Sequence, residues 1–198
     1  MIKYPDYAKA TNAAYEALIK FKEFEFPVGT FRIFRQLDNT KLYTYEELSK
    51  RFGVSLQALV ASSSNYGYNL FNINKKRYAV AYNSNKDETT VRFTLAHELG
   101  HVILGHMDDG EAENKEANCF ARNFLCPIPA VDFFDINTIH DYQDVFNVSE
   151  PMAETSLKWY DNDKYYISVK NYSEYWNELN RKFLKINMND AYDFPSGY

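Results

Sequence analysis

The 198-residue chain lacks any apolar run near the ~18 residues that a transmembrane helix needs, so no membrane span is expected. Its opening stretch, "MIKYPDYAKATNAAYEALIK", lacks the apolar centre of a signal peptide. Cysteine is scarce. Cys119 and Cys126 fall seven positions apart in one predicted helix, roughly 10 Å along its axis, too far for a disulfide. A reducing, cytoplasmic setting is the expectation. Internal repeats and low-complexity tracts are missing as well. So is the basic excess that nucleic-acid binding uses against phosphates: the formal net charge is −5. The charge is uneven, with 13 Lys+Arg against 9 Asp+Glu in residues 1–90 and 9 against 18 thereafter, net +4 and −9. An acidic second half suits a cation site or a basic partner, though a solvated surface is the plainer reading.

What is present is enough for a core. Hydrophobic residues make up 45% of the chain and aromatics 17%, which fits one compact domain with a small extension. Tyr7, Ala14, Tyr15, Leu18 and Phe21 recur at helical spacing, predicting a helix over 6–24 that ends at Pro27 and Gly29. "FRIF", residues 31–34, alternates and reads as a strand. Thr44 and Glu47 form a capping-box pattern opening a helix to about Phe52, stopped by Gly53. Ser55 then caps a short helix to about Ser62. "YGYNLFNI" and "RYAVAYN" read as a hairpin or two adjacent strands, the second offering an edge to an extended peptide. After the turn "NSNKDETT", Thr89 or Thr90 is expected to cap the next helix. Further helices are predicted over 111–125, 149–160 and 173–185, with a loose tail after them.

"YEELSKRFGVSLQAL" has the outline of a helix-turn-helix. Residues 53–74 contain no Lys or Arg, so the phosphate clamps and guanine readers of groove recognition are missing. Packing is the better account, and direct nucleic-acid binding is not expected.

The informative segment is "RFTLAHELGHVILGH", residues 92–106, which holds three of the four histidines. His97 and His101, four apart on a helix, present imidazoles on one face. This is the HExxH spacing, here "HELGH", and it suits zinc, which accepts neutral imidazole nitrogens. Glu98 lies about 100° around the helix, beside an ion rather than on it, placed to take a proton from water. HExxH alone arises by chance in ordinary helices. The flanking Leu95, Leu99, Val102 and Ile103 mark this helix as largely buried, where two imidazoles and a carboxylate would be costly without a cation.

A third ligand is needed. The longer HExxHxxGxxH pattern fails, because Leu104 and Met107 hold its last two places; Gly105 comes one position late and His106 one early. His106 reads as a helix-end residue or a donor behind the ligands. The acidic helix "EAENKEANCFARNFLCP" offers Glu113 and Glu116, either able to complete a His, His, Glu site.

"RFTLAHELGHVILGH" followed by "EANCFARNFLCP" resembles the ImmA/IrrE family of zinc metallopeptidases of bacteria and their mobile elements. The similarity runs from about residue 79 to Pro127, more weakly through "FNVSEPMAETSLKWY", and fades after about residue 160. It implies an α+β, mainly helical, zincin-like fold with a small β-sheet before the HExxH helix. It also implies Glu116 as the third zinc ligand, as in gluzincins, with Glu113 second in line. The implied division is a metallopeptidase domain over 1–160 and a helical extension over 161–198. Within the domain, 1–78 supplies N-terminal helices and strands, 79–127 the zinc-binding core and 128–160 a helical part.

The expected activity is zinc-dependent peptide-bond hydrolysis with Glu98 as general base. The resemblance implies a helix-turn-helix repressor of a phage, mobile element or stress regulon as substrate. The alternative is a non-proteolytic, metal-dependent antirepressor or sensor that binds its regulator. His140, Tyr142 and Tyr82 are candidate oxyanion donors by residue type alone. Gly100 permits close backbone approach or tight helix packing.

Overall fold

A computed structural model describes residues 3–62, 64–108, 110–169 and 175–183. The fold is α+β and mainly helical, with a small sheet ahead of the HELGH helix, as expected. Helix α1 (Tyr7–Phe21) is capped by the Asp6 carboxylate, which accepts from the Lys9 amide, and it ends at Lys22 in the left-handed conformation, short of Pro27. Lys22 lets its own amide close onto the Leu18 and Ile19 carbonyls, so the helix stops before Pro27 is reached.

"FRIF" is not a strand. It lies in α2 (Thr30–Phe34), where Thr30, Ile33 and Phe34 are buried and Phe31 and Arg32 face out. Burial at i, i+3 and i+4 is the helical pattern, and a four-residue alternation is too short to exclude it. Glu23 secures the turn before it, accepting from the Gly29 amide and the Arg32 guanidinium at 3.0 and 2.7 Å.

The sheet contains β1 (Thr40–Thr44), β2 (Gly67–Asn72) and β3 (Arg77–Tyr82) in the order β1-β3-β2. β1 runs parallel to β3, pairing Leu42 with Val80, and β2 runs antiparallel, pairing Asn69 with Val80. The two expected strands therefore form a hairpin, but "RYAVAYN" is central and β2 is an edge. Between β1 and β2, α3 (Tyr45–Phe52) shows the full Thr44–Glu47 capping box and ends at Gly53 with φ 65°. α4 (Leu56–Ser62) opens with the Ser55 hydroxyl accepting from the Ala58 amide.

The centre of the molecule is α5 (Glu88–Leu104), packed on α6 (Glu111–Leu125) and α1. Asp87, rather than either threonine, caps α5, accepting from the Thr90 amide at 2.9 Å. Leu95, Leu99, Phe120, Phe124 and Leu125 are fully buried, and truncating any of the leucines to Ala costs about 2–5 kcal/mol. Gly100 sets the spacing of the pair: a Cβ there would lie 3.2 Å from the Ala117 Cα and 3.1 Å from the Phe120 ring. Tight helix packing is thus its role.

α7 (Ile128–Phe133), α8 (Ile139–Phe146) and α9 (Glu150–Val169) close the core. α9 runs through residue 160 without a break, longer than the sequence predicts. Residues 175–183 are helical and bury Leu179 and Phe183 in the same core. The expected loose tail lies outside the described residues. Arg92, 8% exposed, ties α5 to its surroundings by donating to the carbonyls of Val28, Phe146 and Asn147. Among the described residues, no helix is long and apolar enough to cross a membrane.

Candidate metal centre

His97 and His101 meet as their spacing predicts, with their Nε2 atoms 3.1 Å apart. What lies behind each ring fixes its tautomer. Asn118 Oδ1, which can only accept, is 2.9 Å from His97 Nδ1, so Nδ1 carries a proton. Behind His101 the chain is longer. Glu116 Oε2 is 2.9 Å from His106 Nε2, which therefore donates, leaving His106 Nδ1 as an acceptor. That nitrogen is 3.1 Å from His101 Nδ1, which donates to it. Two nitrogens bound to one zinc at about 2.0–2.1 Å sit about 3–3.5 Å apart, so the pair fits such an ion. His101 is 1% exposed; burial, then the neighbouring His97 and His106 rings, push its pKa down to about 3. It stays neutral near pH 7, the form that ligates.

Glu98 is 5% exposed and accepts from the Asn69 amide of β2 at 2.7 Å. Gly67 allows that approach, since a Cβ there would lie 2.5 Å from Thr94 Cγ2 on α5. With both imidazoles, Glu98 lines a cleft of about 1750 Å³ walled by residues 5–11, β2, α5, α6 and 149–163.

Glu116 adjoins the pair through the His106 ring. It is buried, Oε2 meets His106, and Oε1 accepts the Asp6 backbone amide at 2.9 Å. It reaches the imidazole pair through His106. Glu113 pairs with Lys3, which holds its carboxyl below the usual range. α6 lines the cleft with Asn114, Lys115, Asn118, Cys119 and Arg122, a stripe repeating every three or four residues, and neither glutamate belongs to it. Among the described residues, no group of three or more His, Cys, Asp or Glu side chains is placed to hold a metal ion.

The candidate oxyanion donors do not line the cleft. Tyr142 is fully buried in the core, His140 is exposed beside Asp144, and Tyr82 packs on Phe31. Both cysteines are buried thiols whose pKa burial raises, consistent with packing roles. Sequence reasoning missed three asparagines: Asn69, Asn114 and Asn118. The signal for two of them is the i, i+4 spacing of Asn114 and Asn118, which matches that of His97 and His101.

The profile of the Peptidase M78 family, the IrrE N-terminal-like domain, matches residues 61–158, which include β2, β3, α5 and α6. No curated protein matches the chain at a significant level. Residues 61–158 are an IrrE N-terminal-like domain, and through them the chain belongs to this family of metal-dependent peptidases.

Proposed function

We propose that the protein is a zinc-dependent endopeptidase whose substrate is a helix-turn-helix transcriptional repressor. The observation that carries the catalytic part is the pair of imidazole Nε2 atoms 3.1 Å apart, in one cleft with a buried carboxylate on the residue after His97. His97 and His101 would hold the ion. When bound, zinc supplies Lewis acidity, polarising the scissile carbonyl and making water a stronger acid. Glu98 takes the proton of the attacking water and returns it to the leaving amine. The Asn69 amide orients that carboxylate, and Asn118 and His106 keep each ring in the tautomer that points Nε2 into the cleft.

The edge strand supports a polypeptide substrate. β2 borders the cleft and is an edge strand of the sheet among the described residues, a place where an extended peptide can add as a strand, with Leu70 and Ile73 exposed for apolar contacts. The repressor as substrate rests on the family resemblance alone. A non-proteolytic regulator binder is the second reading, favoured by the commitment of both Glu116 oxygens to other donors.

Incubation of the purified protein and zinc with the repressor encoded beside its gene tests both readings. Cleavage that Glu98→Gln abolishes while zinc is retained supports the peptidase. Release of the repressor from DNA with both chains intact supports the binder.

A further inference from the structure

Past His97 the cleft wall carries a second group of side chains that hydrolysis leaves unused. α5 and α6, joined by residues 105–110, pack as an antiparallel pair, with Gly100 against Ala117 and Phe120 and His97 bonded to Asn118. One helical turn on, that register sets Phe93 of α5 across from Arg122 of α6, and both line the cleft. α9 supplies a third wall, turning Met152, Thr155, Trp159 and Asp163 to the cleft at intervals of three and four residues. Arg122 ties α6 to α9: its guanidinium donates to the Asp163 carboxylate at 2.5 Å and lies 5.9 Å from the centre of the Trp159 ring.

The properties of this wall decide what can enter it. The two charged side chains are 17% and 13% exposed and cancel each other, so an ionised group arriving there would leave water without a counter-charge. Among the described residues Arg122 makes no hydrogen bond besides the one to Asp163, and a guanidinium has further N–H donors to offer an oxygen arriving from the cleft. Phe93, half-buried, and Trp159, 43% exposed, give apolar surface beside it.

Resting on the reading of this cleft as that of a peptidase, we propose that Phe93, Trp159 and the Arg122–Asp163 pair form the pocket that selects a substrate residue beside the scissile bond. The residue it takes is long and uncharged with an oxygen at its tip, glutamine above all. Its stem lies on the two rings and its carboxamide oxygen accepts from Arg122. The Phe93 and His97 rings are 6.3 Å apart, and an extended peptide advances about 3.3 Å per residue, so the pocket serves a position within about two residues of the bond attacked. Asp163 sets the preference as much as Arg122 does, because it removes the charge that would otherwise draw a carboxylate.

The test is digestion of a peptide library, prepared from a bacterial proteome, by the full zinc-loaded chain and two variants, with each cut located by mass spectrometry and each fold checked by a thermal melt. The parent should favour glutamine over glutamate by about tenfold at one position near the cut. Asp163→Asn keeps the shape of the wall but leaves Arg122 uncompensated, and should reverse that order. Arg122→Gln should bring glutamine down to the level of leucine. A reading that needs no cleavage comes from the Trp159 indole N–H in nitrogen-15 spectra, which should shift with N-acetylglutamine amide in the parent and with N-acetylglutamate amide in Asp163→Asn. The pocket is overturned if both variants cut with the parent's preferences and neither probe distinguishes parent from Asp163→Asn, which would leave the ion pair only a tie between α6 and α9. Failure of the parent to cut any peptide overturns the peptidase reading, and the subsite with it. Because Asp163→Asn is read as a new preference, loss of fold cannot imitate it.

Discussion

The two faces of α6 carry polar side chains of similar size in different surroundings. Asn114 and Asn118 face the cleft and engage the imidazoles of α5 directly. Glu113 and Glu116 face the N-terminal segment and are bonded there, by the Lys3 ammonium and by the Asp6 amide with His106. A turn of about 100° per residue separates the two duties. The difference shows that side chains a few positions apart on one helix meet different partners, the asparagines the cleft and Glu116 the His106 ring. Which face docks on the partner helix decides, and here Gly100 against Ala117 and Phe120 fixes that rotation.

The largest effect is expected where the cleft face does chemistry. Glu98→Gln should lower peptidase activity by about 10²–10⁴-fold, the range of general-base catalysis, while zinc affinity measured by competition stays near that of the parent. Activity surviving at parental levels would remove Glu98 from the reaction. Next comes the tautomer relay. Asn118→Ala frees His97 to place its proton on either nitrogen and should weaken zinc by about 10–100-fold without a comparable loss of melting temperature. The opposite face should give the reverse pattern. Glu116→Leu leaves the buried His106 donor without an acceptor, costing about 1–3 kcal/mol by chemical denaturation. If stability is untouched and only zinc affinity collapses, the division between the two faces is wrong.

Much of this division was illegible in the sequence, and the reason is geometric. Signals confined to one element could be read. The Thr44–Glu47 capping box, the Ser55 cap and the His97–His101 spacing all lie within a helix or at its end, where local rules act. β1 could not be read. Leu42 and Tyr43 give no alternating pattern, and the strand exists because β3 accepts it in parallel register. "FRIF" failed because four residues satisfy both periods. Asn114 and Asn118 stand beside the glutamates in plain view, but their roles depend on how two helices rotate against each other. Family resemblance points to Glu116 of "EAN", while the cleft is lined by Asn118 of the same motif.

The smallest effect concerns how α5 is anchored before the site begins. Asp87 caps this helix, and its bonds with Thr89 and Thr90 hold its pKa down to about 2, against an ordinary value of 3.8. A carboxylate whose folded pKa is depressed contributes its stabilisation in full above the unfolded value and loses it as pH falls through the folded one. Stability should therefore decline with acidification between about pH 4 and pH 2, over and above what other carboxylates contribute. Asp87→Asn retains a side-chain acceptor for the Thr90 amide but has no charge to lose, so its melting temperature should stay close to the parent at pH 7 and fall less steeply below pH 4. Asp87→Ala loses both, melting lower at pH 7 and likewise less steeply in acid. Parallel acid profiles for all three proteins would show that the first turn of α5 does not depend on this cap. The rigidity that keeps His97 and His101 aligned would then come wholly from packing against α1 and α6.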